Sequence, residues 1–376
     1  RNGCSEALVE RMTQYLSPDS DILTVGFARR FATYKRATLL FSDPERLSRI
    51  LKDPERPVLL IFAGKAHPSD VPGQELIKTI HEFSLRPEFM GHILLLEGYD
   101  LALGRKLVTG VDVWLNTPEY PLEASGTSGQ KAAMNGVINL SVLDGWWAEG
   151  YNGENGWAIT PHDPHFDVDY RNHEEATELL DLLENKVSPL YYERNSQGFS
   201  EGWVEISKAS MKSAIPKFNA QRMVRDYVRN FYAPASRQNK KLCADDYKGA
   251  KQLAAWKATL NRAWPDVTLH RIDKSPSELM AGDSLSIEVA VELGELSAED
   301  VILECIIGTT AEPGNDTFNE HEHIKLGSRG KDDDGRSLFG IDLVPPLAGL
   351  QFYKLRLYPS HPLLSHPFET GHIRWL

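Results

Sequence analysis

Short, uninterrupted apolar runs alternate with helix-like stretches in the first 116 residues. The runs are ILTVGF (22–27), PVLLIF (57–62), HILLL (92–96) and VDVW (112–115). Continuous apolar strands separated by amphipathic helices are typical of βαβ units, in which both faces of a parallel sheet are covered. The sequence therefore predicts an α/β fold with a doubly wound, Rossmann-like parallel sheet. The predicted helices are 45–52, 73–84, 174–186 and 205–232, the last interrupted by Pro216.

The last third of the chain follows a different pattern. Apolar and polar residues alternate in segments at 284–293, 300–307, 336–344, 350–358 and 371–376. Alternation with a period of two, broken by turn residues, predicts a small antiparallel β-sandwich. A helical pattern over 236–262 ends at Trp264-Pro265. We therefore predict a Rossmann-like domain at 1–235, a helical connector at 236–266 and an Ig-like β-sandwich at 267–376.

Composition argues against several classes of protein. The net charge of −12 argues against nucleic-acid binding driven by phosphate neutralisation. The three cysteines, Cys4, Cys243 and Cys305, are odd in number and widely spaced, which favours a reducing compartment over a disulfide framework. No apolar run approaches membrane-spanning length. The His- and Asp-rich stretch at 161–173 lacks regular ligand spacing, so we predict a solvated turn and no metal site.

The stretch VGFARRFATYKR (25–36) extends beyond the first predicted strand, and its candidate anion-binding cations are Arg29, Arg30 and Lys35. In open α/β sheets ligands bind beyond the carboxyl ends of the strands, and arginine suits phosphate through its fork of donors. The alternative is a solvated basic helix start. A second strand-to-helix turn, FAGKAHPSD (62–70), fits either a phosphate- or sugar-binding turn or an ordinary loop.

The stretch EASGTSGQK (123–131) is the strongest local signal. Its small residues at 125–129 can expose successive amides and hydroxyls around an anion. Lys131 could then react with an aldehyde cofactor whose phosphate lies in that cradle. One alternative is a polar loop capping a helix that begins near Lys131. Another, the S-x-x-K pattern of serine acyl-transfer enzymes, is rejected because its companion motifs S-D-N and K-T-G are absent from the sequence.

Taken together, these stretches resemble the α-glucan phosphorylase family, which comprises the glycogen, starch and maltodextrin phosphorylases. The stretches are ARRFATYKR (28–36), FAGKAHP (62–68), EGYDLALGRKLVTGVDVWLN (97–116) and EASGTSGQKAAMNGVINLSVLDGWWAEGYNGENGWAI (123–159). The resemblance is strong from about residue 20 to about residue 235. The tail SHPLLSHPFETGHIRWL (360–376) resembles the extra C-terminal β domain of some bacterial members. The implied fold is the second half of a GT-B glycosyltransferase.

The resemblance implies pyridoxal 5′-phosphate as cofactor, bound covalently by Lys131. The residues implied to lie near the cofactor are Tyr99, by its ring, and Arg29, Lys35, Thr127 and Ser128, by its phosphate. In this family the cofactor phosphate acts beside the substrate phosphate as an acid/base or electrostatic partner. This chain departs from the family at three places. Arg29 stands where the family often has a lysine, and Ala32 stands where it often has a histidine. Gly129-Gln130 replaces an asparagine-methionine pair that is common before the lysine.

For the substrates, the resemblance implies that Arg30 and Lys35 hold the phosphate. Glu123, with the amides of Ser125 and Gly126, would hold hydroxyls of the reacting glucose. Arg30, Lys35 and Lys131 are the implied catalytic residues. The implied reaction is reversible phosphorolysis, in which α-1,4-glucan and orthophosphate give glucose 1-phosphate and a shortened glucan with retention of configuration.

The implied setting is cytoplasmic carbohydrate metabolism. Phosphorylases have two α/β halves, and this chain supplies only the second; its start at Arg1 without methionine also suggests truncation. We therefore expect the chain to be inactive, or nearly so, without its N-terminal half. Phosphorylases are commonly dimers, with contacts mainly in the half that is missing here, so the resemblance allows a homodimer and leaves the oligomeric state open.

Two other functions fit parts of the sequence. One is a nucleotide-sugar glycosyltransferase of the same architecture, similar to glycogen synthase, which would have no reason to place Lys131 after a small-residue turn. The other is a non-catalytic carbohydrate-binding fragment that uses the β domain. Alternation predicts most aromatic residues of that domain in its core rather than on a binding platform.

Overall fold

A computed structural model describes residues 5–16, 20–274, 279–280, 282–310, 318–344 and 352–376. By its internal contacts the chain divides into two compact units, Arg1–Met223 and Val224–Leu376. Among the described residues no helix is both long enough and apolar enough to cross a membrane.

The first unit is built on a six-stranded parallel sheet. Its strands are β1 (Leu23–Ala28), β2 (Val58–Ala63), β3 (Ile93–Leu96), β4 (Val113–Asn116), β5 (Ile138–Val142) and β6 (Gly156–Ile159). They lie in the order β3-β2-β1-β4-β5-β6. The four predicted strands are confirmed as β1 to β4. The last two strands were not predicted.

The helices of this part of the chain are α1 (Glu6–Met12), α2 (Pro44–Leu51), α3 (Val71–Leu85), α4 (Leu101–Gly110), α5 (Thr127–Met134), α6 (Trp146–Gly150), α7 (Val168–Leu182), α8 (Ser188–Tyr192) and α9 (Glu201–Lys217). A further helix, α10 (Ala220–Tyr227), begins in the first unit, ends in the second and has no buried residue. Aspartates mark several starts: the carboxylates of Asp43, Asp70 and Asp100 accept amide hydrogen bonds from the first turns of α2, α3 and α4.

The predicted long helix at 205–232 consists of three parts. Helix α9 ends one residue after Pro216, α10 begins at Ala220, and a π-helical turn follows at Val228–Tyr232. The predicted interruption near Pro216 is confirmed. Pro216 has no amide hydrogen and cannot donate to the carbonyl four residues earlier, and α9 ends one residue after it. The helix predicted at 174–186 is also confirmed, as α7 and the π-helical turn Leu183–Val187.

The sheet of the first unit is buried on both faces. Phe27, Phe62 and Leu115 belong to one apolar cluster together with residues of α2, α3 and α7. Trp114, which alternates with Leu115 along β4, belongs to a second cluster that includes residues of α4 and α5. Because side chains alternate between the faces of a strand, a strand covered on both sides must be apolar throughout. This explains the uninterrupted apolar runs.

The strand order reverses direction between β1 and β4. From β1 the chain moves outward through β2 and β3, then returns to place β4 on the other side of β1. The loops that follow β1 and β4 leave the same edge of the sheet in opposite directions. Such a switch point opens a crevice at the carboxyl ends of the strands, where ligands bind in doubly wound folds.

The second unit begins at Val224. Its long helix α11 (Ala233–Ala263) confirms the predicted helix at 236–262, with an interruption that was not predicted. Asp245, Asp246 and Tyr247 have positive φ angles between 50° and 59°. Since non-glycine residues rarely adopt that region, the helical path is broken there.

Two antiparallel four-stranded sheets follow α11. The strands are β7 (Thr268–Arg271), β8 (Leu285–Glu292), β9 (Val301–Thr310), β10 (Phe318–Lys325), β11 (Gly327–Lys331), β12 (Ser337–Leu343), β13 (Phe352–Pro359) and β14 (Arg374–Trp375). The sheet orders are β10-β9-β13-β14 and β11-β12-β8-β7. Strands β8, β9, β12 and β13 confirm the alternating segments at 284–293, 300–307, 336–344 and, from residue 352 onward, 350–358. Residues 350 and 351 lie outside the described residues, and of the segment at 371–376 only Arg374–Trp375 forms a strand, β14.

One apolar core joins the two sheets. Ile287 and Val289 of β8 lie in the same buried cluster as Leu303 of β9 and Leu357 of β13, and Leu260 of α11 closes it. Two antiparallel sheets over a shared core form a sandwich, as the period-two pattern predicted. The predicted Ig-like topology stays a prediction.

Cysteine reactivity offers a test of this packing. Cys243 is exposed, whereas Cys305 lies inside the sandwich and burial raises its thiol pKa to about 11. Only the thiolate reacts with alkylating agents. We therefore expect iodoacetamide at pH 8 to modify Cys243 within minutes and to leave Cys305 unmodified until urea unfolds the unit. Peptide mass spectrometry would measure both, and rapid native labelling of Cys305 would contradict the described core.

Candidate functional site

Two cations and one carboxylate meet at the switch point. Arg29 follows β1 directly, Lys35 lies in the 3₁₀ turn Thr33–Lys35, and Glu123 lies in the loop after β4. Glu123 Oε2 lies 2.6 Å from Arg29 Nη2 and 2.6 Å from Lys35 Nζ. All three side chains are at most 10% exposed. The buried carboxylate of Glu123, in the loop after β4, thus bridges two cations of the segment after β1, Arg29 and Lys35.

Backbone pairing with the neighbouring loop fixes Arg29. Its amide donates to Ala63 O at 3.1 Å, and the amide of Phe31 donates to Lys65 O at 3.0 Å. Gly64 permits this approach, because a Cβ there would lie 2.0 Å from Arg29 O. The FAGKAHPSD turn therefore supports the cation cluster through its backbone. Its Lys65 side chain is exposed.

The Arg29 guanidinium is largely buried and only partly hydrogen-bonded. Asn116, the last residue of β4, accepts a hydrogen bond from its Nη1 atom. Burial lowers the pKa of the Arg29 guanidinium, and the ion pair with Glu123 opposes that shift. Its Nε atom is buried and has no hydrogen-bond partner within the described residues. An unpaired buried donor on a cation is a natural contact for an anion.

The loop that carries Glu123 is held by the loop after β5. Asp144 Oδ2 accepts from the amide of Glu123 at 2.9 Å, while its Oδ1 accepts from the amide of Gly145 at 2.8 Å. The amide of Trp146 donates to Ser125 O at 2.7 Å. The L-D-G run of the sequence therefore anchors the glutamate loop.

The small-residue stretch is divided between a loop and a helix. Helix α5 begins at Thr127, so the alternative of a helix beginning near Lys131 placed its start four residues too late. Gly126 precedes it with a left-handed φ of 82° and no side-chain cap. The first amides of a helix have no intrahelical acceptor. The amides that begin at Thr127 and Ser128 therefore form the positive end of a helix, which suits an anion.

Gly129 lets this helix lie close to its neighbours. A Cβ on Gly129 would lie 2.6 Å from Asn139 Oδ1 and 2.7 Å from Trp146 Nε1. Larger residues would push α5 away from β5 and α6. The run of small residues therefore serves close packing as well as exposure of amides.

Lys131 lies in the last turn of α5 with its side chain exposed. Its amine has no hydrogen bond or ion pair among the residues the structure describes. Tyr99 precedes α4 and packs against the apolar cluster that contains Ala132 of α5, and burial raises the pKa of the Tyr99 phenol. Tyr99 is therefore brought to the same face of the sheet as the helix that carries Lys131.

Arg30 differs from its neighbour. Its side chain is exposed, and it has no ion pair within the described part of the chain. The structure thus joins Arg29, Lys35 and Glu123 by direct contacts and attaches Ser125 through the loop. The side chains of Arg30 and Lys131 are exposed and make no hydrogen bond or ion pair within the described residues.

Sequence reasoning missed three residues that shape this site. Asn116 binds Arg29, Asp144 binds the amide of Glu123, and Arg36 makes a set of contacts described below. Asn116 ends the buried strand β4 and Asp144 lies two residues after β5. A polar residue at the carboxyl end of a strand could have been used to predict both. For Arg36 no signal separated it from the other cations of the same stretch.

The first part of the His- and Asp-rich stretch at 161–173 is a loop, and its second part, from Val168, is the start of α7, so only the first part agrees with the predicted turn. Asp163 and His165 pair at 2.5 Å, with the His165 side chain 97% exposed. Within the described residues no group of three metal-ligating side chains comes together.

Two models of known protein families match this chain. Residues 6–150 match the family model "Carbohydrate phosphorylase", and residues 264–376 match "Glycogen phosphorylase C-terminal domain". Relatives of similar sequence include the maltodextrin phosphorylase of Thermococcus litoralis, 43% identical over 360 residues that cover 95% of this chain and 42% of the relative. The chain belongs to the α-glucan phosphorylase family.

Two further relatives agree. The glycogen phosphorylase of Mycobacterium bovis is 40% identical over 355 residues, covering 94% of this chain and 41% of the relative. That of Aquifex aeolicus is 52% identical over 222 residues, covering 59% of this chain and 32% of the relative. The chain thus spans about two fifths of the length of the curated relatives it matches. These relatives do not favour the nucleotide-sugar or the non-catalytic alternative.

Proposed function

We propose that this chain is the C-terminal catalytic part of an α-1,4-glucan phosphorylase. It would transfer a glucosyl unit from glucan to orthophosphate and release glucose 1-phosphate with retention of configuration. The observation that carries the proposal is the buried Arg29–Glu123–Lys35 cluster at the switch point, followed within eight residues by Lys131 on a helix with an uncapped start. The names of the relatives support the same conclusion.

The residues present fit pyridoxal 5′-phosphate. The unpaired amine of Lys131 would bind it covalently, and the N-terminal amides of α5 with the hydroxyls of Thr127 and Ser128 would hold its phosphate. Arg29 supplies a buried guanidinium whose Nε lacks a partner among the described residues. When bound, the cofactor would supply a phosphate group able to exchange a proton with, or electrostatically support, the substrate phosphate.

For the substrate phosphate we propose Arg30 and Lys35. Arg30 is exposed and unpaired within the described chain, so its guanidinium is available to an incoming anion. Lys35 is held against Glu123, which fixes the position of its ammonium group without a ligand. A fixed cation stabilises developing negative charge without reorganising during the reaction.

For the sugar we propose Glu123 and the amides of Ser125 and Gly126. The Glu123 carboxylate is oriented by two cations, and its own amide is anchored by Asp144. Such a carboxylate can accept hydrogen bonds from sugar hydroxyls in a fixed direction. The site does not need the paired carboxylates of retaining glycosidases, because a phosphate would take the place of the nucleophile and the acid.

The proposal extends to the rest of the protein. We propose that the enzyme has an additional N-terminal half, which would complete a GT-B fold and contribute most of the glucan site; the greater length of the relatives supports this. We propose that the chain alone is inactive and that the enzyme is cytoplasmic. We propose that the Rossmann-like domain ends near residue 235 and that the β-sandwich begins near residue 267, with the helical connector between them.

The first test is chemical. The chain is incubated with pyridoxal 5′-phosphate, reduced with borohydride, digested and analysed by mass spectrometry. We expect one phosphopyridoxyl adduct per chain, on Lys131, because its amine is free and neighbours an anion-binding helix end. The Lys131→Arg variant keeps the charge but cannot form the adduct, and Lys65 serves as an exposed lysine lacking that neighbourhood.

The outcomes separate the candidates. An adduct spread evenly over exposed lysines would contradict the cofactor site. Activity is then measured as glucose 1-phosphate release from maltodextrin and phosphate after an N-terminal half from a relative is added. Release that depends on Lys131 would support phosphorolysis, whereas glucosyl transfer from a nucleotide sugar without cofactor would support the glycosyltransferase alternative.

A further inference from the structure

Arg36 follows Lys35 directly and is buried. It has a left-handed φ of 47°, which is uncommon for a residue other than glycine. This conformation ends the 3₁₀ turn and sends the Arg36 side chain away from Glu123. Arg36 is therefore a cation next to the site that does not touch the carboxylate of the site.

The Arg36 guanidinium connects two other segments. Its Nε donates to Thr117 O at 3.0 Å and its Nη2 to Pro118 O at 2.7 Å, both in the loop after β4. Its Nη1 donates to Asn172 Oδ1 at 2.9 Å, and its Nη2 also pairs with Glu175. Four hydrogen bonds thus tie the turn of Lys35 to the start of the Glu123 loop and to α7.

Neighbouring contacts repeat this connection. Thr117 Oγ1 donates to Lys35 O or Arg36 O, at 3.2 and 3.1 Å, and the amide of Glu119 donates to Tyr34 O at 2.7 Å. Arg171 of α7 binds the Glu119 carboxylate at 2.9 Å. The 117–120 segment is therefore held by the turn on one side and by α7 on the other.

Glu175 is the fixed point of this arrangement. Its side chain has no exposed surface, and its Oε1 accepts from the amide of His162 at 3.2 Å while Oε2 binds Arg36. Replacing a buried ion pair by apolar residues often leaves stability unchanged, so stability alone does not explain such a pair. What this pair adds is direction, because a guanidinium fork holds two loop carbonyls in defined positions.

We infer that Arg36 and Glu175 are positioning residues, which hold the turn of Lys35 against the Glu123 loop so that the two charged groups of the site meet. The inference rests on the proposed function for the role of Lys35 and Glu123 in binding phosphate and sugar. Neither Arg36 nor Glu175 touches the carboxylate of Glu123 or the amine of Lys35. Their effect would reach the site through the 117–120 segment.

The test measures the protection of the Lys35 amine. The chain, without cofactor, phosphate or glucan, receives a short pulse of acetic anhydride at pH 8, and acetylation of Lys35 is quantified by tandem mass spectrometry. In the wild type Lys35 is buried and paired, so labelling is slow. In Glu175→Gln, which keeps the shape of the side chain and removes its charge, we expect labelling of Lys35 to rise about tenfold through local opening.

A second variant separates position from stability. Arg36→Met combined with Glu175→Met removes both charges and fills the space with apolar atoms. If the pair positions the loop, acetylation of Lys35 in the double variant is as fast as in Glu175→Gln. The thermal unfolding midpoint of the double variant is nevertheless higher than that of Glu175→Gln. Arg46→Met is the matched control, since Arg46 also pairs with carboxylates of α7 and the following turn, at Asp181 and Glu184, but lies outside the site.

Urea dependence identifies the kind of opening. A rise in Lys35 labelling that is independent of urea below the unfolding transition supports the inference. Labelling within about twofold of wild type in Glu175→Gln, or labelling that follows global unfolding measured by circular dichroism, overturns it. If the double variant does not fold, Glu175→Gln decides alone. Because no cofactor or substrate is present, failure here leaves the Lys131 adduct test of the proposed function untouched.

Discussion

Replacing Glu123 by glutamine is expected to cost the first unit about 3–5 kcal/mol of unfolding free energy. The reason is that Arg29 and Lys35 are both nearly buried and both point at Glu123 Oε2. A neutral amide has the same shape but leaves two desolvated cations without a counter-ion. Urea unfolding of the chain, followed by the fluorescence of the tryptophans in the first unit, would measure the loss.

The matched control is Glu184→Gln. Glu184 also binds an arginine, Arg46, at 2.6 Å, but its side chain is 38% exposed. Exposed ion pairs contribute about 0–1 kcal/mol, so this variant should stay near wild type. Inorganic phosphate should restore more stability to Glu123→Gln than to the wild type, because it can replace the missing negative charge. Equal stability of the two variants would contradict the buried bridge.

Gly145→Ala is expected to destabilise the unit by about 3 kcal/mol and to displace the Glu123 loop. Gly145 has a φ of 53°, and a Cβ there would lie 2.6 Å from Ser125 O and 2.9 Å from Glu123 O. Both neighbours are backbone atoms, which cannot rotate away as a side chain would. Thermal unfolding would measure the loss of stability, and the acetylation of Lys35 would report displacement of the loop.

Gly153→Ala separates the steric effect from the backbone effect. Gly153 also has a positive φ, of 87°, but a Cβ on it would meet nothing within 4 Å. Alanine there should cost only the conformational penalty of about 1–2 kcal/mol and should leave Lys35 protected. The difference between the two variants isolates the contact with the Glu123 loop. Similar losses, with Lys35 protected in both, would show that the loop tolerates the added methyl group.

Regular elements were predictable because their signals are local. The runs at 22–27 and 57–62 became strands within one residue of the expected limits. Strands β5 and β6 were missed. GWAI of β6 has only four residues and is partly buried, whereas INLSV of β5 is fully buried although it contains the polar residues Asn139 and Ser141. A local pattern does not show that such polar groups find partners in the fold, as Ser141 does in Asn116.

The sequence predicted which segments form the candidate site, but it did not predict which side chains of those segments contact one another. Arg29, Arg30, Lys35 and Arg36 lie within eight residues and have similar local sequence surroundings. The structure gives them different situations: two bind Glu123, one binds Glu175, and one is exposed. The divergence follows from the short turn Thr33–Lys35 and the left-handed Arg36, which aim neighbouring side chains in different directions.

The α/β sheet, the antiparallel β sheets and the family were predictable from the sequence, because apolar periodicity and the residues of 123–159 are properties of short stretches. Which charged side chains meet was not predictable, because it depends on the tertiary structure. Glu123 is 94 residues from Arg29 and 88 from Lys35, and Glu175 is 139 from Arg36. Their approach depends on the return of the chain from β3 to β4 beside β1. That crossing is set by the packing of the whole sheet, which no local segment encodes.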